Sequence, residues 1–214
     1  MDKLTVAEVP EMFEKVAEIF AEKKDELCAM DAAMGDGDLG LTMSKGYGAL
    51  PGFLRETAAE GEIGKQMMKA GMKMQNEVPS TMGTLMSSGI MQAGKAFKGK
   101  TELAAADLAT YVTAFAEGIK KRGKCELGDR TILDSVDAGA KKAAALVESN
   151  PDATFAEVIT AAVDGAGKGV EATKDMVPKF GKAAVHAAKA KGVADQGALA
   201  GYYMLLGLKN YFVA

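Results

Sequence analysis

Apolar residues recur at helical spacing along nearly the whole chain. Leu108, Val112, Phe115 and Ile119 follow one another at intervals of four and three residues, which places them on one face of a helix. Alternating runs rich in Val, Ile, Thr and aromatic residues, which are typical of strands, are missing from the sequence. The pattern therefore predicts an all-α fold. Eight helices are predicted, at residues 5–27, 39–50, 60–76, 82–97, 103–122, 130–148, 154–173 and 195–212.

Helix start signals agree with this prediction. Thr5 followed by Glu8, and Thr154 followed by Glu157, match the capping box, in which two side chains satisfy free amides at a helix N-terminus. Gly and Pro mark the predicted helix ends. Residues 171–192, here called the flap, carry Pro178, Gly181 and many Lys and Ala; they predict a mobile segment with one short helix between Pro178 and Gly192.

Length and charge limit what the chain can be. A chain of 214 residues has room for one sizeable core, so we expect a single domain over residues 1–214. Its net charge of −3 provides no basic field for a phosphate backbone, which argues against nucleic acid as a partner. A small anionic ligand would need local neutralisation, for instance by a metal ion.

The first residues and the cysteines bear on the compartment. The N-terminal segment has acidic residues where a signal peptide needs a basic segment and an apolar stretch, and no apolar run has the length of a membrane span. The two cysteines, Cys28 and Cys125, are too few for a secreted disulfide framework and match no metal-binding spacing. We therefore expect a cytoplasmic protein that does not associate with membranes.

Three aspartates form the densest functional signal. Asp31, Asp36 and Asp38 fall within eight positions between two predicted helices, and like charges this close repel one another unless a cation is present. Magnesium prefers oxygen ligands and bridges carboxylates to phosphates, so these residues are predicted to hold metal, with room for two ions. Simple capping of the next helix is the plain alternative. A calcium loop fits less well, because its twelfth position, counted from Asp36, is Tyr47 instead of Glu.

A second phosphate-binding pattern is interpreted as accidental. Residues Gly94 to Thr101 match G-x-x-x-x-G-K-[ST], but that loop needs a strand before it and a helix after it. The preceding residues, 82–97, are predicted to be helical. Gly99 is therefore expected to end one helix and Thr101 to cap the next.

Four ordered motifs resemble the nucleotide-binding L subunit of dihydroxyacetone kinases, the DhaL or Dak2 type, over nearly the whole chain. They are Asp31 with Gly35-Asp36-Gly37-Asp38-Leu39-Gly40, then Ser80-Thr81-Met82-Gly83-Thr84-Leu85, then Gly128-Asp129-Arg130-Thr131-Ile132-Leu133-Asp134, and finally Asp195-Gln196-Gly197-Ala198. The resemblance implies an antiparallel barrel of eight α-helices with a nucleotide and two magnesium ions at one end. The positions of the three aspartates match the metal ligands of that family, where they are the catalytic residues.

The resemblance also implies a set of nucleotide contacts. A helix start would meet the phosphates, Gly123 and Ile132 would lie near the base, and Lys182 with Asp195 to Gly197 would belong to the flap. A core position for Ile132, a helix end at Gly123 and a solvated Lys182 are the plain alternatives. The implied contact residues are Leu39, Gly40, Leu41, Thr42, Thr81, Met82, Gly123, Ile132, Lys182, Asp195, Gln196 and Gly197.

Several positions depart from the family pattern. Leu39 stands where dihydroxyacetone-kinase L subunits typically carry His, Lys182 where they carry Arg, and Gln196 where they carry Pro. The Gly-Asp-Gly-Asp form also resembles the N-terminal domain of bacterial fatty-acid kinases. His186, the only histidine, has no acidic sequence neighbour and no role in the resembling family, so we expect a surface side chain.

The resemblance implies a kinase subunit that acts with a partner. ADP or ATP would be bound through magnesium, and the phosphoryl acceptor, dihydroxyacetone or a related small ketose or polyol, would sit on a separate K subunit. The phosphoryl group would come from ATP or from a phosphotransferase-system protein, and the sequence leaves both donors and a homodimer open. The rival hypothesis is a nucleotide-sensing regulatory module in which no phosphoryl group moves.

Overall fold

Helices account for most of the structure, a computed structural model that describes residues 3–185 and 187–213. Two short 3-10 turns, Ala58–Glu60 and Thr173–Asp175, follow the third and eighth helices. Two-residue strands, β1 (Leu4–Thr5) and β2 (Glu102–Leu103), pair antiparallel. The α-helices are α1 (Val9–Glu22), α2 (Lys24–Met34), α3 (Leu39–Thr57), α4 (Ile63–Glu77), α5 (Thr81–Ala96), α6 (Ala105–Gly123), α7 (Ile132–Ser149), α8 (Phe155–Ala172), α9 (Gly181–Val185), α10 (Ala187–Ala190) and α11 (Gln196–Phe212).

The long helices close into a ring. In chain order, α1, α3, α4, α5, α6, α7, α8 and α11 each pack against the next, and α11 returns to α1. Their apolar faces fill the interior, where Phe20 stacks on Tyr47 with ring centroids 4.7 Å apart and both side chains are fully buried. α2 packs on α3 at one end of the ring, and α9 and α10 lie in the flap. The expected all-α barrel of eight helices is therefore confirmed.

The first predicted helix, residues 5–27, is wrong in its bounds. Thr5 belongs to β1, and although its amide and hydroxyl donate to the Glu8 carboxylate at 2.8 and 2.6 Å, this contact closes a turn before α1. A break at Lys23 then separates α1 from α2. The buried side chains of Phe20 and Leu27, seven residues apart, keep the helical period across the break. The apolar pattern therefore carries no sign of the break.

The second predicted helix, 39–50, is too short. α3 continues through Pro51 to Thr57. A proline inside a helix costs roughly 3 kcal/mol, whereas each fully buried leucine side chain contributes about 1.5 to 3 kcal/mol. Leu50 and Leu54 are both fully buried on either side of Pro51, so packing against the core outweighs the local penalty.

The structure excludes a phosphate loop at residues 94–101. Gly94 lies inside helix α5, so no strand precedes the loop, and Gly99 takes a positive φ of 81° just after the helix ends. The expectation that Thr101 caps the next helix is wrong, because the chain first forms β2 and α6 begins only at Ala105. Within the described ranges, no helix combines the length and apolar character needed to cross a membrane.

Candidate functional site

A cavity of about 550 Å³ opens at the end of the ring where α3, α5, α7 and α11 begin. Small-molecule sites in proteins usually enclose roughly 300 to 1,000 Å³. The cavity is therefore large enough for a ligand the size of a nucleotide. Its lining residues are Asp31, Met34, Gly35, Asp36, Asp38, Leu39, Thr42, Pro79, Ser80, Thr81, Met82, Leu85, Arg130, Thr131, Ile132, Phe180, Gly181, Lys182, Ala183, Asp195, Gln196 and Gly197.

Four helix N-termini meet at this cavity. Local sequence sets three of these starts: the side chains of Ser80, Thr131 and Asp195 accept hydrogen bonds from the first-turn amides of α5, α7 and α11. The fourth, α3, begins at Leu39 beside the aspartates. Free amides and the helix dipole at an N-terminus favour negative ligands. Converging N-termini therefore make this end of the ring suited to a phosphate group.

The three aspartates come together as predicted. Each of Asp31, Asp36 and Asp38 offers a carboxylate oxygen, and these oxygens all lie within 4.8 Å of one another. Oδ2 of Asp31 accepts hydrogen bonds from the backbone amides of Gly37 and Asp38 at 2.9 and 3.1 Å. Asp31, at the end of α2, thereby shapes the loop that carries the other two carboxylates.

Gly35 permits this arrangement. A Cβ atom at this position would overlap Oδ1 of Asp31 and come within 3.0 Å of its carboxyl carbon. The buried Asp31 side chain can fold back against the loop only because residue 35 has no side chain. Residue 35 must therefore be glycine for Asp31 to keep this position.

The charges in the cluster are incompletely balanced. Nζ of Lys182 lies 2.6 Å from Oδ2 of Asp36 and lowers the pKa of that carboxyl group below its ordinary value. The pKa of Asp38 is raised, first by partial burial and then by the negative charges of Asp36 and Asp31. A divalent cation would relieve this repulsion, so the carboxylates fit a magnesium site.

A further oxygen points to the same conclusion. Nε2 of Gln196 donates to Oδ1 of Asp31 at 3.3 Å, while the side-chain carbonyl oxygen of Gln196 is buried and accepts no hydrogen bond from the described residues. Buried polar atoms are normally satisfied, and such an oxygen can accept from a metal-bound water. The first turn of α11 therefore completes the surroundings of the acidic cluster.

The capping alternative for the aspartates is not supported. Asp38 occupies the N-cap position of α3 but its side chain makes no capping hydrogen bond. Asp36 is paired with Lys182 instead. The two carboxylates therefore line the cavity and do not cap α3, whose first amide, at Leu39, donates to Oδ2 of Asp31 at 3.4 Å.

Most of the predicted nucleotide contacts lie around the cavity, but three do not line it. Gly40 packs against α2, where a Cβ would collide with the Lys24 carbonyl, and Leu41 is 57% exposed. Gly123 lies behind the lining, because a Cβ there would meet the side chains of Leu85 and Cys125 at 3.2 and 3.3 Å. Gly40 and Gly123 therefore pack behind the lining, whereas the Leu41 side chain is exposed to solvent.

The structure places the residues predicted for the flap on two different elements. Lys182 lies in the flap, on α9. Asp195, Gln196 and Gly197 instead form the start of α11, because the Asp195 carboxylate accepts from the Ala198 amide at 2.8 Å and begins the helix. The short helix expected in the flap is present as α9 and α10. His186 lies outside the described residues.

Sequence reasoning missed several lining residues. Ser80 stands directly before a helical run, which is a start signal that could have identified it. Arg130 lies inside one of the family motifs, yet its side chain is fully buried and lines the cavity. Phe180, which lines the flap side and is 45% exposed, carried no signal that the sequence distinguishes from other surface apolar residues.

Similarity to known proteins agrees with this geometry. A bovine (Bos taurus) triokinase/FMN cyclase is 32% identical over 83% of this chain and 30% of its own length. The ADP-binding subunit DhaL of a PEP-dependent dihydroxyacetone kinase 2 from Listeria innocua is 28% identical over 87% of this chain and 86% of its own length. The chain thus spans under a third of the triokinase but most of the subunit.

The fold also matches a solved structure. The dihydroxyacetone kinase from C. freundii, crystallised in complex with AMP-PNP and Mg2+, aligns with a TM-score of 0.70 at 23% identity, over 99% of this chain and 35% of that protein. The DAK2 domain matches residues 33–210, which include Asp36, Asp38 and every helix from α3 to α10. The chain therefore belongs to the DAK2 domain family.

Proposed function

We propose that this chain is the ADP- or ATP-binding subunit of a dihydroxyacetone-kinase-like phosphotransferase. One observation carries the proposal: three carboxylates face four converging helix N-termini across one cavity. Carboxylates hold cations and helix N-termini hold phosphates, so the site presents both halves of a metal-nucleotide complex. The Listeria relative is an ADP-binding subunit, and the C. freundii kinase was crystallised with AMP-PNP and Mg2+.

The acidic cluster would hold magnesium, and we propose two ions. Asp31, Asp36 and Asp38 supply the carboxylates, and bound magnesium neutralises charge on the phosphates during transfer. Amides at the starts of α3 and α5, near Thr42 and Thr81, would hold the phosphate oxygens. The residues themselves act by positioning and by screening charge.

The apolar part of the lining would hold the base. Met82, Leu85 and Ile132 line the cavity, and Gly123 packs behind Leu85. Flexible Met and Leu side chains suit a flat aromatic ring because they adapt to its faces. Ile132 is also almost fully buried, so it belongs to the core and to the proposed base site at once.

The phosphoryl acceptor is proposed to be dihydroxyacetone or a related small ketose or polyol held by a partner K subunit. Relatives include the triokinase/FMN cyclases and an L-erythrulose 1-kinase, of which this chain spans about a third. The remaining two thirds of those proteins leave room for a substrate-binding part. The bacterial subunit relatives are PEP-dependent, which supports a phosphotransferase-system protein as one proposed phosphoryl donor. The C. freundii kinase was crystallised with AMP-PNP, which supports ATP as the other. We propose the cytoplasm as the compartment.

Thermal unfolding with magnesium and ADP or ATP tests the site. Ligand at one hundred times its dissociation constant adds roughly 2.7 kcal/mol, which corresponds to about 5 to 11 °C for a chain of this length. We expect such a rise, and we expect chelator to abolish it. Nucleotide that co-purifies with the protein must first be removed, because it would hide the shift.

Two matched substitutions assign the effect to the acidic cluster. Asp36→Asn removes one carboxylate of the cluster, whereas Asp164→Asn removes an exposed carboxylate on α8 that pairs with Lys142 on α7. We expect only Asp36→Asn to abolish the magnesium-dependent rise. An equal rise in both variants would rule out the proposed metal-nucleotide site.

Phosphoryl transfer separates a kinase subunit from a nucleotide-sensing module. The protein is mixed with a K subunit, dihydroxyacetone and either ATP or a phosphorylated phosphotransferase-system protein, and dihydroxyacetone phosphate is measured. Product that depends on this chain supports the kinase subunit. Tight ADP binding without product in any mixture would identify a sensing module instead.

A further inference from the structure

The loop between α6 and α7 holds an arginine in an unusual conformation. Arg130 has a φ of 61°, a left-handed value that residues other than glycine rarely adopt. Asp134 fixes the loop around it, because its carboxylate accepts from the amides of Gly128 and Thr131 at 2.6 and 2.7 Å. Such backbone strain persists where the surroundings determine the conformation strongly. The loop therefore directs the Arg130 side chain inward.

The guanidinium of Arg130 joins the two ends of the flap. Its Nε donates to the carbonyl of Thr173 at 3.2 Å, near the start of the flap. Its Nη2 donates to the carbonyl of Ala190, near the flap end, at 3.5 Å, and to that of Val193, just beyond, at 3.0 Å. Its Nη1 lies 3.7 Å from Oδ1 of Asp195, and the Arg130 side chain is completely buried.

The flap connects Arg130 to the acidic cluster. The Gly192 amide donates to the Lys174 carbonyl at 2.9 Å, so the two ends of the flap are also bonded to each other. The Asp195 amide, at the start of α11, donates to the Thr173 hydroxyl at the same distance. Between those ends the flap carries Lys182, which pairs with Asp36. Arg130 itself makes no hydrogen bond with the three aspartates. Its guanidinium also lies 3.9 Å from Sδ of Met34, at the end of α2, but its bonds to the chain that carries Lys182 are those to the flap.

From these contacts we propose that Arg130 is a positioning residue that holds the flap over the phosphates, so that Lys182 reaches them. The proposal rests on the proposed function, since it assumes a bound nucleotide. An arginine can do this because its planar fork bonds several chain segments at once. Lysine at the same position would keep the charge but could not bond both ends of the flap in the same geometry.

A double-mutant cycle tests whether Arg130 acts through Lys182. The wild type, Arg130→Lys, Lys182→Met and the double variant are compared for the dissociation rate of a fluorescent ADP analogue in the presence of magnesium. We expect each single substitution to raise the rate about tenfold and the double variant to be no faster than Arg130→Lys. Arg55→Lys, at an exposed pair with Glu14, is the matched control and should leave the rate unchanged.

Hydrogen exchange without nucleotide tests the flap itself. Arg130→Lys should exchange its flap amides about tenfold faster than the wild type, while amides in the middle of α6 and α8 exchange at the same rate. If Arg130→Lys fails to fold, Asp195→Asn, which retains a side-chain oxygen for the α11 cap, replaces it in both measurements. Circular dichroism of Arg130→Lys measures its helix content and shows whether it folds.

Two results would overturn the positioning role. Unchanged flap exchange in the folded variant would show that Arg130 does not hold the flap. Additive effects of Arg130→Lys and Lys182→Met would show that Arg130 acts independently of Lys182, for instance by direct contact with the ligand. Failure of the proposed function is distinguishable: the wild type would then not bind magnesium-ADP at all, while the exchange measurement would still decide whether Arg130 fixes the flap.

Discussion

Lys182 and Asp36 form an ion pair with 2.6 Å between Nζ and Oδ2, which joins the flap to the acidic loop. Both side chains are more than half exposed, so the pair can open at little cost. A cationic side chain thus shares the carboxylate that a metal ion would use. Lysine and metal are expected to compete when no nucleotide is present and to cooperate when phosphates are bound between them.

Lys182→Met is predicted to change two affinities in opposite directions. Mn2+ alone should bind about two- to fivefold more tightly, because the competing cation is gone. Magnesium-ADP should bind more weakly, because a phosphate partner is lost. Titration calorimetry measures both, and Lys142→Met, at an exposed pair with Asp164, provides the control. Weaker binding of both ligands would contradict the competition.

Gly35→Ala is predicted to weaken metal binding by about tenfold or more, as loss of a supporting contact commonly does. The added methyl group would displace the Asp31 carboxylate. Gly48→Ala in α3 is the matched control, since a Cβ there meets no atom within 4 Å. That variant should bind Mn2+ normally and gain about 0.4 to 1 kcal/mol in unfolding free energy. Equal Mn2+ affinities in the two variants would disprove the role assigned to Gly35.

Ser80→Ala should destabilise the fold by about 1 kcal/mol and also weaken ADP binding. The Ser80 hydroxyl accepts from the Gly83 amide at 3.0 Å and fixes the start of α5 against the cavity. Ser149→Ala, whose exposed hydroxyl donates to the Leu146 carbonyl at the end of α7, should change neither quantity appreciably. Denaturant unfolding and ADP titration test the pair. Loss of stability with unaltered ADP affinity would remove α5 from the proposed phosphate site.

Asp195 is predicted to give the fold a distinctive pH dependence. Burial raises the pKa of Asp195 to about 6 from an ordinary value of 3.8, with the Arg130 charge partly opposing the shift. The folded state therefore binds a proton more readily than the unfolded state. The resulting contribution to stability is complete below about pH 4 and is lost as the pH rises through about 6.

The measurement compares the wild type with Asp195→Asn across this range. The difference in unfolding free energy between them should fall by roughly 2 to 2.5 kcal/mol from pH 4 to pH 7, which is most of the effect of the full pKa shift at 1.36 kcal/mol per pKa unit. Carboxyl groups whose pKa values are lowered, such as Asp129 beside Lys179, contribute equally to the stability of both proteins and therefore drop out of the difference. A difference that stays constant with pH would contradict the shift at Asp195.

Local sequence information predicted the helices and the acidic cluster well. Apolar spacing located most helix bounds to within about two residues, because each helix buries one face and the period is visible in the sequence. Asp31, Asp36 and Asp38, singled out by their close spacing in the sequence, lie close together in the structure. The main errors lie at Lys23, where the helix breaks without a change in the apolar period, and at Pro51, where core packing outweighs a local stop signal.

The sequence by itself determined the all-α class, the acidic cluster and the family. Tertiary structure alone decided that four helices begin around one cavity and that Arg130 donates hydrogen bonds near both ends of the flap. The hydrogen bonds of Arg130 to Thr173, Ala190 and Val193 join residues 43, 60 and 63 positions apart. Helical periodicity reports only which face of each helix is buried, whereas these bonds depend on how distant segments meet when the ring closes.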